Sequence, residues 1–411
     1  MDNRRYYGLD ALRGGMMMLG IVIHGAGFYL VAPPPHVPLF MDPARTYVAD
    51  FFFAFVHSFR MPTFFVLAGF FASLLVEKRT IPGMFRDRAA RILLPLVLSV
   101  PVILLPTLVL VVDFGIAVRF GVHEWLPQRR LADQMGAEIA QAGFPTGFPL
   151  LHLWFLYYLC FFYLAVPACH ALTRRTARHE AAVTGFLTSA SAPVVFVAFT
   201  CATLWPYKGA VVMEGFVFLT PHVPSLLYYG SFFVLGYVFQ HHRAVLPTMA
   251  RQAPRAALLA AILLPASYLA THLEYRSGNS VAFHVPAVIA NAACTWALVY
   301  AFIGGALRLF DRPSAWALYA SQSAYWVYLV HMPLVTLAAF VLLPYDVPGL
   351  VKALIVMAFT ALVSFATYHY LVQRTWVSRL LHGKRFDLDW PWRGQHPLPA
   401  AAGGSAEGTI K

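Results

Sequence analysis

The stretch "RGGMMMLGIVIH" covers residues 13–24 and opens the first long apolar run of the chain. Continued to residue 33, this run is long enough to cross the roughly 30 Å hydrocarbon core of a bilayer as an α-helix. It places an arginine at its start and a histidine eleven residues later. An ionisable ring so deep in an apolar helix needs a polar partner or a wet cavity, and it therefore marks a candidate functional position.

Composition extends this interpretation to the whole chain. Of 411 residues, 59% are hydrophobic and 12% are charged, about half the charged fraction of a typical soluble domain. Ten apolar segments are predicted to span the membrane: 13–33, 47–76, 93–113, 152–172, 186–205, 223–240, 257–273, 285–307, 319–342 and 350–372. The sequence predicts an all-α integral membrane protein, a bundle of about ten transmembrane helices, and excludes a large soluble core.

The distribution of Lys and Arg predicts the topology. With the N-terminus inside, 21 of the 30 Lys and Arg residues fall in inner segments and 6 in outer loops. Cytoplasmic loops carry such an excess, so both termini are predicted to be cytoplasmic. The net charge of +12 is then explained by basic residues that anchor the protein at the cytoplasmic face. Nucleic-acid binding is not needed to explain it. The transmembrane domain is predicted over 1–382, and a disordered cytoplasmic tail, rich in Pro, Gly and Ala, over 383–411.

Helical geometry relates the two polar residues of the opening stretch. Eleven residues at 100° each come within about 20° of three full turns, so Arg13 and His24 share one face of the first helix. Their axial separation is about 16 Å, half the hydrocarbon thickness. We therefore expect Arg13 near the inner interface and His24 near the middle of the membrane.

Two further predicted spans carry polar groups at similar depth. The second contains His57 and Arg60 on one face, in "FVHSFRMPTFF", and the ninth contains His331, in "YWVYLVHMPLV". An arginine at mid-depth costs at least about 2.5 kcal/mol, so it must face a partner or a water-filled cavity. We expect these residues to meet His24 in a polar cavity. The plainer interpretation of each histidine is a polar packing group whose hydrogen bonds are satisfied.

The loop after the second span ends in three closely spaced arginines, Arg86, Arg88 and Arg91. Arg88 and Arg91 lie one turn apart at the predicted start of the third helix. The planar guanidinium fork suits phosphate, so the loop is a candidate site for a phosphate-bearing donor. Ordinary anchoring by positive charge at the cytoplasmic face is the alternative.

The start of the fourth span, "LLHLWFLYYL", places His152 and Trp154 near the outer side. An aromatic ring there can stack on a sugar, which makes the pair a candidate acceptor site. The alternative is the aromatic belt common at membrane interfaces. No spacing of His, Cys, Asp and Glu in the sequence predicts a metal site.

These motifs together resemble the membrane acyltransferase-3 family. The spacing of Arg13 and His24 matches the Arg/His motif of its first helix, and Arg88 with Arg91 matches its cytoplasmic RxxR motif. The resemblance covers about residues 6–372. The stretches "HSFRM", "HLWFL" and "YLVHMP" are similar to one branch, the inner-membrane succinyltransferases of osmoregulated periplasmic glucans.

The resemblance implies a multi-pass O-acyltransferase of the bacterial inner membrane. It would move an acyl group from a cytoplasmic acyl-CoA to a hydroxyl of a periplasmic glucan, and succinyl-CoA is the expected donor. Acyl-CoA is then a co-substrate, and no separate cofactor is expected. His24 would act as general base, since histidine titrates near working pH, or as a transient acyl carrier.

The other candidate residues receive roles on the same basis. Arg13 would guide the donor or orient His24, and the arginines of the RxxR loop would hold its phosphates. Arg60 with His57 would neutralise the developing oxyanion or bind a succinyl carboxylate. His331 would share one of these roles or orient a neighbour.

Three alternatives stay open at the level of sequence. An O-acetyltransferase acting on lipopolysaccharide or exopolysaccharide would share the same motifs. A proton-coupled transporter explains intramembrane histidines equally well, although it leaves the basic loop without a role. A sensor or scaffold would use the buried polar groups only to fix helix packing.

Overall fold

The computed structural model describes residues 6–33, 40–123, 125, 133–134, 137, 149–212, 221–278, 280–387 and 390–391. These residues form helices and connecting turns, with no β-strand among them. The helices are α1 (Tyr7–Gly27), α2 (Tyr47–Arg88), α3 (Leu94–Ser99), α4 (Leu105–Phe120), α5 (Trp154–Leu164), α6 (Val166–Thr176), α7 (Glu180–Thr188), α8 (Ser191–Leu204), α9 (Val223–His241), α10 (Val245–Arg276), α11 (Val281–Leu309), α12 (Ala315–Leu342), α13 (Gly349–Thr367) and α14 (Trp376–His382).

Within the described residues, five helical stretches are long and apolar enough to cross a membrane, and six if the bent pair 151–164 and 166–188 forms one span. The most apolar part of α10 is only 11% buried inside the protein. So apolar and so exposed a surface suits contact with lipid. The prediction of an all-helical membrane protein is confirmed. The ten predicted spans all overlap helices, but the number ten stays a prediction.

A sharp break divides the helical stretch that runs from residue 47 to residue 120. Thr80 has φ 64° and ψ 167°, a conformation that residues other than glycine rarely adopt. Pro82 follows two residues later. The predicted second and third spans lie on either side of this break, and Arg88 and Arg91 lie just beyond it.

Small residues let α1 pack closely on its neighbours α2, α11 and α12. A Cβ at Gly8 would overlap the carbonyl oxygen of Ala306 in α11, and a Cβ at Gly14 would lie 3.0 Å from Cα of Ser321 in α12. Glycines at such positions are typical of helix contacts inside membranes, where backbones approach closely. The face of α1 that carries Arg13 is thereby fixed against α12.

The contact between α2 and α9 gives a test of this packing. A Cβ at Gly69 would overlap the carbonyl oxygen of Phe233 in α9. We expect Gly69→Ala to lower the free energy of unfolding by about 1–3 kcal/mol, because two backbones must separate. Thermal unfolding of the purified protein in detergent measures this. The control is Gly305→Ala, whose Cβ would meet nothing within 4 Å, and an equal loss in both variants would contradict the account.

A buried ion pair joins α13 to the segment before α2. Lys352 Nζ donates to both carboxylate oxygens of Asp42, at 3.1 and 2.9 Å, and to the carbonyl oxygen of Leu343 at 3.3 Å. Both ionic side chains are buried. Such a pair is tolerated in an apolar interior only when its hydrogen bonds are made. Lys352 is therefore a cation within a predicted span, and the carboxylate of Asp42 neutralises its charge.

The chain beyond α13 folds back on the helices. Phe386 N donates to the carbonyl oxygen of Gln373 at 2.8 Å, and the ring of Trp390 stacks on His369 with centroids 4.0 Å apart. Of the predicted tail, residues 388–389 and 392–411 lie outside the described residues. The division into a domain over 1–382 and a disordered tail over 383–411 stays a prediction.

Candidate active site

Three histidines from distant parts of the chain meet around α12. The ring of His331 lies 5.2 Å from that of His24 in α1, and 5.1 Å from that of His152 in the turn before α5, between centroids. His152 and His331 are buried, and His24 is half-buried. We call these three residues the histidine cluster.

Backbone contacts fix the ring nitrogens of two members. Nδ1 of His331 lies 2.5 Å from the carbonyl oxygen of Tyr328, and Nε2 of His152 lies 3.0 Å from that of Leu329. Because a carbonyl oxygen only accepts, each of these nitrogens carries the proton and donates. The opposite nitrogens, Nε2 of His331 and Nδ1 of His152, are buried without a hydrogen-bond partner in the described structure. The cluster thus contains imidazole lone pairs that can accept a proton.

Arg60 brings a buried cation to this cluster. Its Nε donates to the carbonyl oxygen of Met16 at 2.8 Å, and its side chain is buried. A Cβ at Gly20 would lie 2.9 Å from Arg60 Nη2 and 3.1 Å from His331 Nε2. Gly20 therefore lies where the guanidinium group and the unpartnered imidazole nitrogen come together. Among the described residues, no carboxylate forms an ion pair with Arg60, so its charge is available to an anionic transition state.

This close approach makes Gly20 a sensitive position. We expect Gly20→Ala to reduce activity at least about tenfold, because the added methyl displaces the Arg60 guanidinium group or the His331 ring, and small displacements of reacting groups are costly. The same helix offers a matched control in Gly15→Ala, since a Cβ there would meet nothing within 4 Å. Activity per amount of membrane protein is the measurement, and equal activities of the two variants would contradict the assignment.

A cavity of about 520 Å³ opens toward the N-terminal end of α1. Its wall includes Arg13, Arg88 and Arg91. We call it the basic cavity. Arg13 lies between Asp10 at 3.4 Å, Ser321 Oγ at 3.4 Å and the ring of Phe71, whose centroid is 4.9 Å away.

Asp87 holds the arginines of this cavity in place. Its buried carboxylate lies 3.1 Å from Arg91 Nη2, 3.7 Å from Arg88 Nη2 and 3.0 Å from Arg79 Nη1. The Arg88 guanidinium carbon also lies 5.2 Å from the ring centroid of Tyr163. One carboxylate faces three guanidinium groups, so positive charge remains for an anionic ligand.

A second cavity, of about 290 Å³, lies toward the other end of α1 and α2. Its wall mixes aromatic and polar side chains: Asp50, His57, Tyr228, Tyr229, Tyr268, Thr271, His272, Tyr275 and Asn291. We call it the aromatic cavity. His57 Nε2 lies 2.7 Å from the carbonyl oxygen of Val212, and the His57 ring stacks on Phe53. Such walls offer sugars both flat rings and hydrogen-bonding groups.

The two cavities lie toward opposite ends of α1 and α2, and the described residues of the histidine cluster line neither of them. On α2, the aromatic cavity is lined by Phe53, Ala54, His57, Ser58 and Pro62. The basic cavity is lined by Phe64, Ala68 and Phe71. Arg60 lies between Ser58 and Pro62, two wall residues of the aromatic cavity, and itself lines neither cavity. Met17 of α1 lines the basic cavity, Leu30 just after α1 lines the aromatic cavity, and His24 lies between them along the chain.

Comparison with known proteins identifies the family. The family model described as an acyltransferase domain, acyltransferase 3, matches residues 6–369. This chain belongs to the acyltransferase-3 family. No solved structure matches the chain.

Two curated relatives of this acyltransferase share one name. Glucans biosynthesis protein C of Escherichia coli O139:H28 (strain E24377A / ETEC) is 26% identical over 349 residues, which cover 80% of this chain and 82% of the relative. The protein of the same name from Escherichia coli strain K12 is 26% identical over 341 residues, with the same coverage. The acyltransferase is accordingly a multi-pass membrane enzyme.

Four of the ten candidate residues of this acyltransferase, His24, Arg60, His152 and His331, meet at the histidine cluster. Arg13 and His24 both face α12, through Ser321 and His331, as their spacing on one helix face predicts. Arg60 lies beside His331 at the cluster, whereas Arg13 lines the basic cavity.

Four candidates take places that differ from the expected ones. His57 lines the aromatic cavity. His152, expected near an outer acceptor, belongs to the histidine cluster. Trp154 stacks on Tyr229, a wall residue of the aromatic cavity, at 5.4 Å. Arg86 is exposed and is not among the residues that line the basic cavity.

Sequence reasoning missed two polar residues of the basic cavity and one carboxylate beside it. The carboxylate is that of Asp87, which directly precedes the RxxR motif, and its place between Arg86 and Arg88 was a signal for an ion-pair network. His382 and Lys384 line the cavity but come from the end of the chain. No motif in the sequence links them to Arg13 or Arg91.

Proposed function

We propose that this acyltransferase moves an acyl group, most simply succinyl, from a cytoplasmic acyl-CoA to a hydroxyl of a periplasmic glucan. It would do so in the bacterial inner membrane, with about ten spans and both termini in the cytoplasm. The observation that carries the proposal is the contact of the histidine cluster with Arg60, on helices whose two ends line a basic and an aromatic cavity. The name of the curated relatives supports glucan as the acceptor.

The donor enters the basic cavity. Arg13, Arg88 and Arg91 offer guanidinium forks whose geometry suits the phosphates of CoA. Acyl-CoA places its thioester far from its phosphates, at the end of a flexible arm. The phosphates can therefore stay near the arginines while the thioester reaches toward the cluster.

The chemistry requires a base and a site for negative charge. The glucan hydroxyl oxygen bonds to the thioester carbonyl carbon while its proton moves to His24, and Arg60 stabilises the oxyanion. The carbon–sulfur bond then breaks, and the CoA thiolate takes the proton. In the carrier route, a His24 nitrogen first displaces CoA to form an acyl-imidazole, which the hydroxyl then attacks. His331, held by the carbonyl oxygen of Tyr328, orients the neighbouring ring.

The acceptor enters the aromatic cavity. Tyr228 and Tyr229 present rings on which a sugar can stack, Trp154 supports Tyr229 from behind, and Asn291 offers an amide. His57 lies on this side, so it contacts the acceptor rather than the acyl donor.

Mass spectrometry of glycans tests the proposal. Periplasmic and surface glycans would be compared between cells that lack the protein and cells complemented with the wild type. We expect a succinyl increment on small periplasmic glucans only when the protein is present. An acetyl increment, or an increment on lipopolysaccharide or exopolysaccharide, would replace the acyl group or acceptor proposed here. No increment on any glycan would contradict acyl transfer to a glycan and would favour a transporter.

A further inference from the structure

The end of the described chain forms part of the basic cavity. Helix α14 ends at His382, and the cavity wall includes Leu381, His382, Lys384 and Phe386. These residues follow residue 369, the last that the acyltransferase family model matches. This part of the wall is therefore a feature of this chain beyond the matched domain.

Several contacts fix this segment, residues 376–386, against the cavity. Ser378 Oγ donates to the carbonyl oxygen of Lys384 at 3.0 Å, and Phe386 N donates to that of Gln373 at 2.8 Å. Gly383 has φ +78°, a left-handed conformation that favours glycine. A Cβ at Gly383 would overlap the guanidinium group of Arg91. The turn after α14 is thus built directly against an arginine of the RxxR motif.

His382 offers an unused polar atom at this wall. Its Nε2 is buried and has no hydrogen-bond partner within the described residues. Burial, together with the charges of Arg13, Arg91 and Lys384, lowers the pKa of His382 to about 4. The ring is therefore neutral near pH 7, and its pKa rises when an anion binds beside it.

The charges around the cavity call for an anion. Arg13, Arg88, Arg91 and Lys384 line it, and the described carboxylates paired with these cations are Asp10 and Asp87. Four positive charges face two negative ones. A ligand with two or more negative charges, such as one with several phosphate groups, balances the excess.

We infer that the segment 376–386 is a wall of the donor site and that Lys384 and His382 bind a phosphate group of the acyl donor. This inference rests on the proposed function, because it takes the basic cavity as the donor site. Lys384 supplies a mobile cation and His382 a hydrogen-bonding nitrogen, in addition to the guanidinium forks of Arg88 and Arg91.

Binding of CoA to the purified full-length protein in detergent tests the inference, with isothermal titration calorimetry as the readout. We expect Lys384→Ala and His382→Gln each to raise the Kd for CoA about tenfold, as for loss of one charged hydrogen bond. Pantetheine, which has the thiol arm without the nucleotide phosphates, should bind wild type and both variants equally. Arg385→Ala is the matched control, because Arg385 is exposed and neighbours Lys384 outside the cavity wall.

Arg88→Ala distinguishes failure of the inference about the segment 376–386 from failure of the proposed function. If Arg88→Ala weakens CoA binding but Lys384→Ala and His382→Gln behave like Arg385→Ala, the segment is not part of the donor site and the proposed function stands. If the wild-type protein does not bind CoA, the basic cavity is not a CoA site and both proposals are wrong.

Discussion

His24→Ala should reduce acyl transfer by about 10²- to 10⁴-fold, the range in which a positioned general base contributes to rate. The loss follows from position: His24 faces His331 across the cluster, and its ring forms no hydrogen bond to the described residues. A ring that holds no helix contact together by hydrogen bonding can be removed without a large effect on folding. Transfer of labelled acyl groups to glucan, per amount of protein in the membrane, is the measurement.

The control for this variant is His179→Ala, since His179 is exposed and lies outside both cavities. It should retain wild-type activity. Mass spectrometry of the wild-type protein incubated with acyl-CoA alone separates the two routes, because only the carrier route leaves an acyl group on His24. Full activity of His24→Ala would remove His24 from the chemistry.

Arg60→Met should reduce acyl transfer by about 10²- to 10³-fold, as for removal of one donor to an oxyanion. Methionine fills similar space in an apolar helix without a charge, so the protein should still insert. Arg60→Lys should not restore activity. Its single ammonium group cannot both donate to the carbonyl oxygen of Met16, as Arg60 Nε does at 2.8 Å, and reach the cluster.

An arginine in an exposed position provides the comparison for Arg60. Arg178→Met makes the same arginine-to-methionine substitution at an exposed position. It should leave acyl transfer unchanged. The Michaelis constants for acyl-CoA and glucan should change little in Arg60→Met, because the interaction is made in the transition state. If kcat were retained and only a Michaelis constant rose, Arg60 would bind substrate rather than stabilise the transition state.

Local regularities made much of this site predictable from sequence. Apolar run length indicated helices, and the 100° period placed Arg13 and His24 on one face, where Ser321 and His331 receive them. The cost of a buried arginine singled out Arg60. Each of these inferences depends on residues close together in one helix.

Contacts between distant parts of the chain were not predictable in this way. Lys352 stood in an apolar span with no visible partner, because Asp42 is 310 residues away. From sequence, His152 is expected at an outer acceptor site. Its contact with His331 depends on tertiary packing between distant helices, which the sequence does not show. The contact of α14 with the basic cavity depends on the turn at Gly383. No sequence motif near this glycine predicts that the following residues pack against Arg91.

In the proposed function, donor and acceptor reach the histidine cluster from opposite sides of the membrane. The most direct measurement uses purified protein in vesicles, sorted by whether an N-terminal tag faces outward. Labelled succinyl-CoA is supplied on one side and glucan on the other. We predict labelled glucan only when succinyl-CoA is on the side of the N-terminus and glucan is on the opposite side. Transfer that requires both substrates on the same side would contradict the claim.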